Sequence, residues 1–184
     1  MDGEYSADTY IKTVSGSMVS RSVTMFSPTN VQMPGGKSVL QDGVVVRGDF
    51  APIEINRYAV VGKDTVLRPS GILTVDAGAG LGGMLRFVPL TIGKYTFIGR
   101  DCVVECASVG VGCFVGNGSV LCKGAILKDY VHVEPGTIVP PDLVIPPFSI
   151  VSGQPARVTG EAPPSTPGDK ERNALSRYRA FVRA

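Results

Sequence analysis

The side chains most able to do chemistry in this chain are one histidine and four cysteines. His132 is the only histidine, and imidazole is a common proton acceptor in acyl transfer and a common zinc ligand. The cysteines contain no Cys-x-x-Cys pair and match no zinc spacing. We interpret His132 as a surface histidine and expect no catalytic residue, no metal and no cofactor; the alternative is a lone acyltransferase base at His132. The cysteines are Cys102, Cys106, Cys113 and Cys122.

Two short motifs resemble binding signatures without meeting their requirements. Gly35-Gly36-Lys37-Ser38 resembles the end of a phosphate-binding loop, but the leading glycine would fall at position 31, which is valine. Arg47-Gly48-Asp49 is better explained as a turn closed by an Arg–Asp ion pair than as an adhesion signal. The 18 basic and 16 acidic residues give a formal charge of +2, which excludes nucleic-acid binding by bulk charge.

Length and composition favour a single cytoplasmic domain. The 184 residues are 43% hydrophobic, which suffices for one core. The sequence has no apolar run long enough to cross a bilayer and no basic, then apolar, start typical of a secretory signal. We therefore expect a cytoplasmic protein that does not insert into membranes.

An aliphatic residue recurs at every sixth position through much of the chain, and a smaller residue stands two positions before most of them. This period predicts a short strand with both residues inward, followed by a turn. Three such units close a triangular coil of about 18 residues, and coils stack about 4.8 Å apart. The predicted fold is all-β, a left-handed parallel β-helix of hexapeptide repeats. The aliphatic members are Ile55, Val61, Leu67, Ile92, Ile98, Val104, Val109, Val115, Leu121, Leu127, Val133, Val139, Ile145 and Val151.

Breaks in the repeat divide the chain. We predict an N-terminal cap at residues 1–36, the β-helix at 37–162 with a loop excursion at about 69–86, and a linker and C-terminal α-helix at 163–184. The excursion includes the glycine-rich residues 77–83. The helix is expected to lay a narrow apolar stripe on one face of the solenoid. Its basic residues are expected to face water or an acidic partner; they are Lys170, Arg172, Arg177, Arg179 and Arg183.

The residue between each small and aliphatic pair points outward, so outward residues form three columns. Two columns are apolar along most of their length, and one helix can cover only one of them. The sequence leaves open which one. The uncovered column would be an apolar stripe typical of a protein interface. The columns are Glu54, Thr91, Ser108, Ile126, Val144; Val60, Phe97, Phe114, His132, Ile150; and Val66, Val103, Val120, Ile138. The candidate interface residues are Val66, Val103, Val120, Ile138, Phe97 and Phe114.

The core resembles the γ-class carbonic anhydrases in residues 47–49, 53–55 and 153–157, which read RGD, IEI and GQPAR. The resemblance implies that the three metal histidines of that family fall at Arg68, Arg100 and Glu105. Two permanent cations and one carboxylate would repel Zn²⁺. We therefore expect a salt-bridge cluster where that family holds its metal, and a metal-free scaffold protein is a further alternative.

The most specific resemblance is to the dynactin subunit 5 family. It rests on YIKTVSGSMVSR at 10–21, VVRGD at 45–49, LRP at 67–69, FVPLTIG at 87–93 and the double Pro-Pro segment at 139–148. The resemblance implies a non-catalytic structural subunit of dynactin's pointed-end complex, cytoplasmic and cytoskeletal, that supports dynein-dependent cargo binding and microtubule-based transport. The implied partners are a second β-helix subunit, an actin-related protein, a zinc-binding subunit and dynein cargo adaptors.

Overall fold

A computed structural model describes residues 8–74 and 84–183 of the chain. Strands of mostly two or three residues wind into a left-handed parallel β-helix of about six coils, followed by a single α-helix. The predicted fold class is confirmed. Residues 77–83, the glycine-rich part of the predicted excursion, lie outside the described residues.

The coils stack their strands into three sheets, which we name the helix-side sheet, the valine sheet and the third sheet. The helix-side sheet contains Tyr10–Lys12, Met18–Ser20, Val39–Leu40, Val60–Val61, Phe97–Ile98, Phe114–Val115, His132–Val133, Ser149–Ser152 and Arg157–Glu161. The valine sheet contains Thr24–Phe26, Val45–Arg47, Val66–Leu67, Val103–Val104, Val120–Leu121 and Ile138–Val139. The third sheet contains Val31–Gln32, Ile53–Ile55, Leu90–Ile92, Ser108–Val109, Ile126–Leu127 and Val144–Ile145.

The strand registers confirm the outward columns that the sequence predicts. On the valine sheet, Val103 is paired with Val66 on one side and Val120 on the other. On the helix-side sheet, Phe114 is paired with Phe97 and His132. The inward aliphatic residues have almost no exposed surface, so they form one continuous core along the solenoid axis.

The small inward residues tie neighbouring coils together at the corners of the prism. The Thr65 hydroxyl donates to the Gly99 carbonyl oxygen at 2.8 Å, and the Ser119 hydroxyl donates to the Glu134 carbonyl oxygen at 3.1 Å. Cys102 lies between Thr65 and Ser119 in the same column of small inward residues, and its thiol is 3.3 Å from the Gly116 carbonyl oxygen. At these positions a hydroxyl or thiol satisfies a carbonyl of the neighbouring coil, whereas the hydroxyl of Thr137, in the same column, has no partner among the described residues.

The first coil lies inside the segment that the sequence assigned to an N-terminal cap, residues 1–36. Met18–Ser20, Thr24–Phe26 and Val31–Gln32 pair in parallel with the strands of the next coil. The hexapeptide pattern missed them because inward positions here are taken by Met25 and Met33, which break the aliphatic run. The short 3-10 helix Pro28–Asn30 makes one of the corners.

A β-hairpin occupies the place of the predicted loop excursion. Its strands, Ser70–Thr74 and Met84–Val88, pair antiparallel. The hairpin is fixed to the solenoid at its base, since the Ser70 hydroxyl accepts a hydrogen bond from the Gly124 N–H at 2.8 Å. Phe87 stacks on Phe50 with ring centroids 4.6 Å apart.

The C-terminal helix, Thr166–Arg183, lies along the helix-side sheet and returns toward the first coil. Its 18 residues make a rod about 27 Å long, which matches five to six strand spacings of about 4.8 Å. Ala174 and Phe181 are buried against the sheet, and the Tyr178 hydroxyl donates to the Gly16 carbonyl oxygen at 2.5 Å.

Two of the basic helix residues differ from their prediction. Lys170 and Arg177 lie against the sheet, where the Lys170 Nζ is 5.2 Å from the Phe114 ring centroid and the Arg177 Cζ is 4.5 Å from the Phe97 ring centroid. Cation–π attraction offsets part of the loss of hydration. Arg172 and Arg179 are exposed as expected, and the side chain of Arg183 is outside the described part.

Candidate interaction surface

His132 is held in place by its neighbours on the helix-side sheet. Its ring stacks on Phe114 with centroids 4.7 Å apart, and its Nε2 lies 3.4 Å from Glu134 Oε1. Burial and the nearby Lys170 ammonium lower the pKa of His132, against the opposing effect of Glu134. The ring therefore favours its neutral form and is partly enclosed, whereas the sequence predicted a surface histidine.

The positions that the γ-carbonic-anhydrase resemblance assigned to a metal contain one ion pair rather than a three-membered cluster. Arg68 Nη1 lies 3.1 Å from Glu105 Oε1. Arg100 takes no part in this pair: its Nε lies 4.0 Å from Asp101 Oδ2, and its backbone N–H donates to Asn117 Oδ1. The predicted cluster is therefore wrong in its third member, because Arg100 sits at a different corner from Arg68 and Glu105.

Three of the four cysteines fill the core. Cys102, Cys106 and Cys113 are 0%, 0% and 1% exposed, and burial raises the pKa of Cys106 and Cys113 to about 12. The thiols stay protonated and act as small core residues. Within residues 8–74 and 84–183, no group of three or more His, Cys, Asp and Glu side chains is placed to hold a metal ion.

The valine sheet presents the apolar column that the helix leaves uncovered. Val66, Val103, Val120 and Ile138 are all partly exposed, and Val45 extends the column by one coil. The helix lies instead over the column of Phe97 and Phe114, which removes these two rings from the candidate surface. The sequence did not predict Val45, because the nine-residue step from the inward Val46 to the inward Ile55 interrupts the six-residue period.

A basic, aromatic corner adjoins the valine sheet, and the sequence analysis did not identify it. The Arg47 guanidinium lies between Phe26 and Phe50, at 4.8 and 4.2 Å from the ring centroids. Arg47 also makes two hydrogen bonds of 2.8 Å to Asp49, which confirms the predicted Arg–Asp turn and lowers the pKa of that carboxyl. Beside it, Arg68, Glu105, Lys123 and the hairpin line a cavity of about 280 Å³.

The helix found in the described part of the chain is too polar or too short to cross a bilayer. Among the described residues, the valine column and the corner beside it are the two surface features considered below.

Comparison with known sequences places the chain beside one family. The family model described as "Dynactin subunit 5" matches residues 2–183. A curated protein called Dynactin subunit 5, from Dictyostelium discoideum, is 33% identical over 101 residues. That match covers 55% of this chain and 47% of the relative, so the chain spans about half the length of the curated relative.

Comparison with solved structures shows the fold alone. A hexapeptide transferase family protein from Anaplasma phagocytophilum superposes with a TM-score of 0.64 at 18% identity, over 90% of this chain and 93% of the other. The N-acyltransferase AntD from Bacillus cereus, bound to dTDP and 3-hydroxybutyryl-CoA, has a TM-score of 0.67 at 12% identity, over 97% of this chain and 100% of the other.

Proposed function

Because this chain belongs to the dynactin subunit 5 family, we propose that it is a non-catalytic structural subunit of dynactin's pointed-end complex. In this role it supports dynein-dependent binding of cargo adaptors and transport along microtubules in the cytoplasm. Its neighbours in the complex are a second β-helix subunit, an actin-related protein and a zinc-binding subunit.

The observation that carries this proposal is the uncovered valine column. The C-terminal helix shields one apolar face of the solenoid, and the second apolar face remains partly exposed over five consecutive coils. A contiguous stripe of aliphatic side chains in water is typical of a surface that another protein covers.

Two sets of residues support a structural role: those at the metal positions of the γ-carbonic-anhydrase resemblance, and His132. The Arg68–Glu105 ion pair occupies the place that the resemblance assigns to a metal, and a bound cation there would be opposed by the guanidinium. His132 is stacked on Phe114, and Lys170 lies nearby. These contacts give the imidazole ring a packing role in the sheet.

The rival function is acyl transfer, which is the activity named for AntD. It is tested by incubating the purified chain with acetyl-coenzyme A and a panel of amino sugars and measuring the release of free coenzyme A. A structural subunit gives no release above the rate without protein. Turnover that disappears in His132→Ala would establish the rival instead.

The interface is tested by isolating the tagged chain from its native cell and scoring the bound proteins for actin-related proteins and dynein chains. Val120→Asp and Val103→Asp place a charge in the centre of the valine column and are expected to reduce recovery at least tenfold. The matched control is Ser108→Asp, an outward position at a similar height on the third sheet, which is expected to leave recovery unchanged. Equal recovery with Val120→Asp would show that this column is not the interface.

A further inference from the structure

The cavity between the hairpin and the solenoid is lined by charged residues of the solenoid and apolar residues of the hairpin. Its volume is about 280 Å³, near the lower end of the roughly 300–1,000 Å³ that small-molecule sites occupy. The charged residues, Arg68, Glu105 and Lys123, follow paired strands of three successive coils. The apolar residues, Leu85 and Phe87, belong to the second strand of the hairpin. A cavity of this size and lining suits a small ligand with one polar end and one apolar end.

The charged residues of this cavity offer more hydrogen-bond donors than acceptors. Arg68 donates to Glu105, with Nη1 3.1 Å from Oε1, and its guanidinium has further N–H groups to donate. Lys123 is exposed and forms no ion pair within the described residues. Asp142, in the next coil, neither lines the cavity nor pairs with Lys123 within that part of the chain, and the adjoining Arg47–Asp49 pair adds no net charge. Two cations and one carboxylate therefore line the cavity, which leaves one positive charge without a partner.

Ser70, the first residue of the hairpin, adds a buried donor to the same cavity. It is 1% exposed, and its hydroxyl oxygen accepts the Gly124 N–H at 2.8 Å. The hydroxyl proton has no acceptor within residues 8–74 and 84–183. A buried donor without an acceptor is unfavourable. A ligand that brings acceptor oxygens would therefore be stabilised by Ser70 as well as by Lys123 and Arg68.

The apolar residues of the cavity are held next to the guanidinium. The Phe87 ring stacks on Phe50 with centroids 4.6 Å apart, and the Arg68 Cζ lies 5.1 Å from the same Phe50 centroid. Gly71 pairs with Phe87 across the hairpin and leaves room for the apolar side chains, since a Cβ there would lie 3.1 Å from Phe87 and 3.3 Å from Leu85. Leu85 is 56% exposed, so a ligand that covers it would remove apolar surface from water.

We propose that this cavity binds a small organic monocarboxylate with an aromatic or branched aliphatic body. The carboxylate oxygens accept hydrogen bonds from Lys123, Ser70 and Arg68, and the apolar body covers Leu85 and Phe87. One net positive charge favours a monoanion, because the carboxylate already in the cavity would repel a second negative charge. The two basic side chains would repel a metal cation. The site needs no partner protein, so it adds ligand binding to the proposed structural role.

The test is a titration of the purified, isotopically labelled full chain with benzoate, followed through the amide NMR signals. The signals of Ser70, Gly71 and Gly124 are expected to shift and to saturate. Benzamide has the same ring without the charge, and acetate has the charge without the ring. Both are expected to bind at least tenfold more weakly than benzoate. Shifts that do not saturate, or equal affinity for benzoate and either analogue, overturn the proposal.

The carboxyl terminus of another protein carries the same chemistry as a free carboxylate, and a further titration separates the two sources. An N-acetylated peptide that ends in phenylalanine is larger than the cavity admits. It is expected to bind at least tenfold more weakly than benzoate. Binding as tight as that of benzoate, or tighter, would assign the site to a protein terminus and overturn the proposal of a small free ligand.

Variants give an independent readout. Lys123→Met removes the ammonium at an exposed position, so the fold is retained, and it is expected to weaken benzoate binding at least tenfold. Lys128→Met, at an exposed position on the following corner, is the matched control and is expected to leave binding unchanged. Ser70→Ala is expected to weaken binding about fivefold; if this variant fails to fold, Lys123→Met alone decides. Unchanged binding of benzoate by Lys123→Met contradicts the proposal.

Discussion

At the scale of single residues, most corners of the coils turn through one left-handed residue placed directly before the small inward residue. On the valine sheet these are Asp64, Asp101, Gly118 and Gly136, with φ of 55°, 56°, 67° and 69°. At the corner before the helix-side sheet they are mostly aromatic, and their rings stack along the axis, as Tyr58 does on Tyr95 and Tyr130 on Phe148. Stacking offsets the strain of a left-handed aromatic residue.

Gly112 interrupts this aromatic corner, and it provides a prediction. A Cβ at Gly112 would lie 2.6 Å from the Tyr130 ring, whereas a Cβ at Gly118 would meet nothing within 4 Å. Both glycines have a left-handed φ, 63° and 67°. Gly118→Ala is expected to lower the free energy of unfolding by about 1–2 kcal/mol, and Gly112→Ala by about a further 1–3 kcal/mol through steric conflict. Urea unfolding measures both, and equal losses would show that the ring moves aside freely.

His132 gives a prediction about pH. Its pKa in the folded chain is lowered from the ordinary value of 6.5 by burial and Lys170, so below about pH 6.5 the unfolded chain takes up a proton before the folded chain does. The stability that neutral His132 contributes to the fold is therefore fully present above that pH and is lost as the pH falls. His132→Phe keeps an aromatic ring on Phe114 and removes the titration. The drop in the free energy of unfolding between pH 7 and 5 is expected to be smaller in His132→Phe; an identical drop contradicts the account.

At the scale of elements, the C-terminal helix packs on the solenoid through a small apolar cluster that is separate from the main core. Phe181 meets the Tyr10 ring edge to face at 4.9 Å and is 8% exposed, while Lys170 and Arg177 approach the sheet as cations. Burial lowers the pKa of both groups, which reflects the unfavourable loss of their hydration. The helix is thus expected to open as a local unit while the solenoid stays folded.

Phe181→Ala tests this local opening. Loss of the buried ring is expected to speed the exchange of the helix amides by about tenfold to a hundredfold, with the solenoid amides unchanged. Arg179→Ala, at an exposed helix position, serves as the control and is expected to change neither. Faster exchange throughout the solenoid would mean that the helix and the coils unfold together.

The six-residue period predicted most strands and the three outward columns, because each strand carries its own inward and outward residues. It did not predict the first coil, where Met25 and Met33 fill inward positions. It also left open which face the helix covers, since Phe97 and Val103 occupy equivalent outward positions on their sheets. The helix lies on the face where Phe114 and Phe97 make cation–π contacts with Lys170 and Arg177. Such a contact between distant segments has no local signal in the sequence.

At the scale of the whole molecule, the prism has three unlike faces and two unlike ends. The helix covers one face, and the valine column on the second face is apolar and partly exposed. The third sheet has polar outward residues at Glu54, Thr91 and Ser108. The end at Ala156 buries Val139, Ile145 and Val151 but leaves Leu143 37% exposed, and at the other end Met25 is only partly buried. A chain with this distribution of apolar surface is suited to a fixed position between neighbours, because each uncovered region loses water only when another protein covers it.

The most direct test is sedimentation of the chain, at its natural abundance, in a gradient of lysate from its native cell. We expect nearly all of it to sediment with the actin-related protein in one large particle, and little or none at the position of a free monomer. A chain found mainly as a free monomer, with the large particle intact and without it, would contradict the account.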